Sequence, residues 1–304
     1  MIFILTLHAQ AMNPFEEVEC PLGKDDYARV FSFSSQNQLG GYDSDLASYS
    51  KGEQFRTFAI STCYDSYFSL YGTDFSISLT EEQKQKATAA LDIAKKRLLD
   101  PQNPLLWERY EIAAEMYRIL EYPPEFLAQI YLEASWTVRD SFVGFHSGLN
   151  GPKSAQEVLD MGAKEFVKPL LPDQKKLLIF NLARVAHRAG YPQIRDQYLF
   201  QYAALPTLTD VEKKGLNYVQ TLALPKEKYY QEKARSELLL AVQSPSTEKQ
   251  EKGMYTKYLL ADLHRRLGDW VQAKPLYEEV RTQSTENRLV EMSEFFVLQH
   301  IESK

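Results

Sequence analysis

The sequence predicts a mainly α fold, an array of helical hairpins behind a small N-terminal module containing β-strands. Two observations carry that expectation: the hydrophobic period changes near residue 79, and one later stretch places small residues and a glycine at repeat-like intervals. That stretch, Tyr258 to Val280, reads YLLADLHRRLGDWVQAKPLYEEV. Leu260 and Ala261 fall on the inner face of a first helix. Gly268 ends it in a left-handed turn where a Cβ is unwelcome, and Ala273 and Tyr277 bring a second helix back against it. Small beside large at these positions is the pattern of a tetratricopeptide-type hairpin. Such hairpins need stacked neighbours to bury their apolar faces; the competing reading is an ordinary helical bundle with small residues at chance spacing.

The elements follow in order. The first eleven residues, MIFILTLHAQA, join an apolar run, Ile2 to Leu7, to Ala9-Gln10-Ala11, a small-x-small cleavage pattern without a basic start. Residues 1–11 read either as a truncated signal segment, which places the protein in the periplasm or outside the cell, or as a plain apolar segment of a cytoplasmic protein. Residues 12–78 are aromatic and Ser-rich, with the turn cluster Gly40-Gly41-Tyr42-Asp43-Ser44-Asp45. Within them Tyr27 to Ser34 and Phe55 to Thr62 alternate as short strands, with Phe31 and Phe33 on one face and Phe58 and Ile60 on another.

Residues 79–304 form the helical-repeat domain. Thr80 and Gln83 have capping-box spacing, and Ala87, Leu91, Ala94 and Leu98 then recur on one face until Asp100-Pro101 breaks the run. Further helices are expected over Leu105–Leu120, Pro124–Asp140, Ser154–Val167, Asp173–Ala189, Gln193–Ala204, Val211–Leu222, Lys226–Gln243, Thr247–Leu267, Trp270–Thr282 and Glu286–Ile301. Ser154 with Glu157, Thr209 with Glu212 and Thr247 with Gln250 repeat the capping spacing. Placing Gly190 on Gly268 superposes Leu182-Ala183 on Leu260-Ala261 and Arg188 on Arg266, although Arg195 then takes the place of Ala273. An earlier hairpin, Tyr110 to Val138, carries Ala113-Ala114 and then Ala128, Leu132 and Ser135, once two extra residues are allowed near Pro123-Pro124.

Composition narrows the function classes. A 304-residue chain with 44% hydrophobic residues can bury a large core. Its net charge of -6 argues against nucleic acid, which needs a basic stripe, and Lys95-Lys96-Arg97 reads as a solvated helix face. No apolar run approaches the ~20 residues that span a bilayer. Among His8, His146, His187, His264 and His300 no two have the i, i+4 spacing of helical metal ligands. His146-Ser147-Gly148 lacks the strand-turn-helix context of a nucleophile elbow, and Gly151-Pro152-Lys153-Ser154 lacks the first glycine of a phosphate loop. Glu108, Glu111 and Glu115 share a helix face that reads as solvated. No catalytic residue, metal or cofactor is therefore expected.

Cys20-Pro21-Leu22-Gly23 and Cys63-Tyr64-Asp65-Ser66 each look like half of a CxxC pair, with Gly23 and Ser66 where the second thiolates would stand. These residues, the Asp43-Ser44-Asp45 turn, Tyr67, the run Arg109-Tyr110-Glu111-Ile112-Ala113 and the run Tyr131 to Arg139 resemble a bacterial family of uncharacterised proteins. In that family paired CPxC motifs precede tetratricopeptide-type helices, and the likeness spans roughly residues 17 to 170. It implies a degenerate zinc-ribbon-like front and a helical-repeat body, and no activity. With two thiolates, zinc binding is not carried over. If Cys20 and Cys63 keep one ligand position each of a former four-thiolate site, their Cα atoms lie close, and in an oxidising compartment a disulfide replaces the metal.

The functional expectation is a non-enzymatic scaffold that binds a protein or peptide. Mapping the first-helix faces through the glycine alignment selects a groove of Arg118, Phe180, Arg184, His187, Arg188, Tyr255, Tyr258, Asp262, Arg265 and Arg266. Guanidiniums beside aromatic rings suit an acidic peptide or a free C-terminal carboxylate, whereas arginine near a helix end is ordinarily a solvated complement to the helix dipole. The alternative is a hydrolase or transferase with a pocket between the β-module and the helices, using Asp43, Asp45 or Asp65.

Overall fold

The computed structural model describes residues 15–23, 25–31, 39–52, 54–143, 148–243 and 250–302. It is mainly helical, with short strands at the N-terminal end. β1 (Phe15–Glu19) pairs antiparallel with β2 (Tyr27–Phe31), which turns Phe15 against Phe31 with ring centroids 5.0 Å apart. β3 (Gly41–Tyr42) follows, then β4 (Ile60–Thr62), antiparallel to β5 (Ser69–Tyr71). Phe55–Thr57, expected as the start of a strand, is a 3-10 turn, because its backbone bonds close locally from Thr57 to Gln54 and from Phe58 to Phe55. Phe33 and residues 1–11 lie outside the described residues.

The helices are α1 (Glu81–Lys95), α2 (Leu106–Ile119), α3 (Pro124–Val143), α4 (Gly151–Glu165), α5 (Pro172–Ala189), α6 (Pro192–Ala203), α7 (Asp210–Tyr218), α8 (Leu224–Val242), α9 (Gln250–Arg266), α10 (Trp270–Gln283) and α11 (Asn287–Glu302). Their starts have local causes. Thr80 accepts the N–H of Gln83 while Gln83 reaches back to Thr80, and Thr209 and Glu212 do the same, so both boxes form as the spacing predicts. Ser154 does not start a helix, because α4 begins three residues earlier with Pro152 in its first turn. Thr247 lies outside the described residues.

The expected gap between two helices around residues 223–225 is instead a π turn, Val219–Ala223, that joins α7 to α8 without a break. Pro225 has no N–H to give Thr221, and its ring crowds that carbonyl; the wider turn removes both conflicts.

Packing follows the hairpins: α2 lies on α3, α5 on α6 and α9 on α10, with α11 against α10. The largest interface, however, joins α3 to α8, so α4 to α7 form an excursion and the chain returns before continuing into α9. A short strand before α4, β6 (Leu149–Asn150), pairs parallel with β3 and holds the loop 39–52 against the helices. The main core is continuous from Cys20, Cys63 and Phe68 through Tyr110, Tyr131 and Tyr230 to Tyr258, Tyr277 and Phe296. Glu108, Glu111 and Glu115 do not form the expected solvated face. Glu108 is buried and accepts the N–H groups of Leu99 and Leu105; Glu111 accepts the hydroxyls of Tyr229 and Tyr230 on α8, and Glu115 that of Tyr131.

Cys20 and Cys63 form a disulfide with Cα atoms 6.0 Å apart. The pairing is compatible with an oxidising compartment. Asp26 stands beside it, accepting the N–H groups of Asp65 and Ser66 at 3.0 Å each and so fixing the turn after Cys63. No helix among the described residues is long and apolar enough to cross a membrane.

Candidate functional site

The turn Asp43-Ser44-Asp45 is inserted among α3, α5 and α9 with 1–2% exposure. Ordinarily two carboxylates on a tight turn stay in water, since their desolvation is costly unless each is paired and hydrogen-bonded. Here they are. From α3, Arg139 gives Nη1 to Asp43 at 3.0 Å and to Asp45 at 3.1 Å, and Nε to Glu227 on α8 at 2.9 Å. From α5, Arg188 gives Nε to Asp43 at 2.8 Å and lies over the Tyr49 ring at 4.3 Å. Tyr49 donates to the other oxygen of Asp43, and Trp136 Nε1 donates to Asp45 at 3.1 Å.

Ser44 is held from α9. Arg265 and Arg266 each donate to its Oγ, at 2.9 and 2.7 Å, and Tyr258 donates to its carbonyl at 2.6 Å. The same two guanidiniums grip Asp262, one turn back on α9, and the carbonyls that end α5: Arg265 reaches Ala189 and Gly190, and Arg266 reaches Arg188. Those carbonyls are orphans of a helix terminus, so the arginines of one hairpin cap the first helix of another. Gly190 makes the approach possible: its φ is +72°, and a Cβ there would meet Arg265 Nη2 at 2.6 Å.

The network is balanced, with Asp43, Asp45, Glu227 and Asp262 against Arg139, Arg188, Arg265 and Arg266. Burial would raise the Asp45 carboxyl, but Arg139 and Arg266 outweigh it and hold it well below the usual range. Asp262 is lowered against burial by Arg265 and Arg266, and Glu227 falls to about 2 against burial through the His187 ring and Arg139. His187 touches Glu227 through Nε2 at 2.6 Å and Arg195 Nη1 through Nδ1 at 3.2 Å. A guanidinium can only donate, so Nδ1 carries the lone pair and Nε2 the hydrogen. Burial, with Arg195 and Arg139 nearby, lowers the His187 pKa and keeps the ring neutral.

The expected groove residues thus divide. His187, Arg188, Tyr258, Asp262, Arg265 and Arg266 do converge, but they are buried around the chain's own acidic turn. Arg118 is half-exposed and bonds Glu237 at 2.8 Å. Phe180 packs between Phe142 and Tyr202, and Arg184 lies over its ring at 6.0 Å with Nη1 weakly on Asn181 and Nε without a partner among the described residues. Tyr255 is 39% exposed at a separate cleft. Asp43 and Asp45 are consumed by arginines, and Asp65 sits on an exposed turn.

That separate cleft, about 290 Å³, lies between the N-terminal loop and the helices and is lined by Ser48, Arg56, Glu133, Trp136, Tyr255 and Arg288. Burial raises the Glu133 carboxyl, opposed by hydrogen bonds from Gln129 and Tyr71. Arg139, Glu227 and Glu133 were missed in the sequence, although two of them carry a visible signal. Arg139 continues the apolar stripe Ala128-Leu132-Ser135 at helical spacing, and Glu227 continues Tyr230-Ala234-Leu238 backwards, so each is a charge on a buried face.

No protein-family model matches the chain, and no curated protein or solved structure matches it either.

Proposed function

We propose that the chain is a non-enzymatic interaction protein built on a tetratricopeptide-type array. Its inner helical face is specialised for acidic, turn-forming segments and holds one of its own. The observation that carries this reading is the seat of Asp43-Ser44-Asp45 on Arg139, Arg188, Arg265 and Arg266, contributed by three different helices. An external acidic segment then meets the part of the face left open, where Arg184 over Phe180 keeps a guanidinium without a carboxylate among the described residues. The test is fluorescence anisotropy of a labelled Asp-rich peptide with a free C-terminus. Arg184→Ala should weaken binding by about tenfold, the loss of one charge-assisted contact, at an unchanged unfolding temperature. Equal affinity in both proteins would remove Arg184 from the interface.

A second reading has one observation in its favour. The raised Glu133 carboxyl in the 290 Å³ cleft suits a general acid, as a hydrolase or transferase would need. Carbon-13 NMR titration of Glu133 decides it, since a carboxyl that ionises at the ordinary glutamate value ends that reading.

A further inference from the structure

A second cleft, independent of the reading above, opens where α5, α6, α8 and the π turn meet the end of α9. It has a volume of about 410 Å³, within the range of small-molecule sites. Backbone chemistry sets one wall: the π turn forced before Pro225 places Gln220 and Leu224 at the cleft, and wide turns of this kind recur at functional sites. The opposite wall carries His187 and Arg195.

The charge of the lining is unequal. Glu227 and Arg266 reach the cleft but are answered from inside, Glu227 by Arg139 and Arg266 by Asp262. Among the described residues Arg195 and Lys228 are answered only by Asp196 and Glu232, which are outside the lining and whose side chains are 60% and 48% exposed. Such surface pairs are weak and yield to a better partner. Arg195 is also aimed. Its Nε is on Asp196, its Nη1 on the neutral His187 ring, and its Nη2 has no partner among the described residues. Both nitrogens of His187 are committed, so the ring is a positioning group for Arg195 rather than a base.

We infer that this cleft binds a small molecule bearing a phosphate monoester, its dianion held by Arg195 and Lys228 and its organic part against Leu224, Pro192 and Pro225. Two cations with no free carboxylate suit a dianion, and the planar guanidinium fork matches phosphate oxygens.

Titration calorimetry of the full chain with phenyl phosphate at fixed ionic strength tests this, with inorganic phosphate and succinate in parallel. The expected result is saturable binding of phenyl phosphate, at least about tenfold tighter than succinate, and weakened about tenfold in each of Arg195→Gln and Lys228→Gln. His187→Phe should also weaken it, and His187→Gln, which keeps an acceptor for Arg195, should restore part of the loss. Circular dichroism melts without phosphate should superpose for the wild type, Arg195→Gln and Lys228→Gln. No saturation, equal affinity in the two cation variants, or succinate binding as tightly as phenyl phosphate would each overturn the assignment.

Discussion

At the scale of single residues, Gly190 and Gly268 occupy the same place in two hairpins but bear different loads. Both have φ near +80°, at +72° and +85°, where any other L-residue is strained by about 1 to 2 kcal/mol. A Cβ at Gly268 meets nothing within 4 Å, whereas one at Gly190 meets Arg265 and Arg266. Gly268→Ala should therefore cost only the conformational strain. Gly190→Ala should cost about 2 kcal/mol more, because displacing the arginines leaves buried carboxylates unpaired. Urea unfolding of the two variants checks the difference, and equal losses would mean the arginines do not need that approach. Sequence comparison could pair these glycines, since a left-handed helix end is a local property. It could not tell that one of them sits under two guanidiniums, because those come from about 75 residues further on.

At the scale of elements, helix positions were legible because they rest on local periodicity and capping, as the Thr80 and Thr209 boxes show. The strand region was less so, since Phe55–Thr57 has an alternating sequence but closes its hydrogen bonds within a single turn. The joined α7–α8 helix was hidden for a physical reason. Proline ordinarily ends a helix, and only the π turn ahead of Pro225 lets the chain pass through it. The disulfide carries its own prediction. Its cysteines are 43 residues apart, so on the chain-entropy model removing it by Cys20→Ser with Cys63→Ala should lower the unfolding free energy by about 4 kcal/mol. A loss below about 1 kcal/mol would show that β1, β2, β4 and β5 already restrict the unfolded loop.

At the scale of the whole molecule, the acidic turn and the helices form one electrostatic unit, and pH should report it. His187 has a folded pKa below its ordinary 6.5, so the unfolded chain binds the proton more readily and stability should begin to fall as pH drops through 6.5. Asp45, Asp262 and Glu227 have lowered folded values. Their contribution is complete above the ordinary carboxylate range and is lost as pH falls from there through about 2 for Glu227. Glu133 and Asp140, raised by burial, oppose this by favouring the folded state at low pH. His187→Gln should flatten the first decline and, because His187 helps to hold Glu227 low, move the Glu227 part of the second to higher pH; denaturation midpoints from pH 7.5 to 2 measure both. Pairing Gly190 with Gly268 selected His187, Arg188, Arg265 and Arg266 together, but as an open groove; they are buried, and their occupant was not legible, because a turn more than a hundred residues away leaves no local trace. The most direct test of that occupancy is a double-mutant cycle between Asp43 and Arg188, with Asp43→Ala, Arg188→Ala and the pair measured by urea unfolding. A buried pair of this kind predicts a coupling of about 2 to 3 kcal/mol, and a coupling within about 0.5 kcal/mol of zero would contradict the claim that the arginines of these helices are closed over by the chain's own acidic turn.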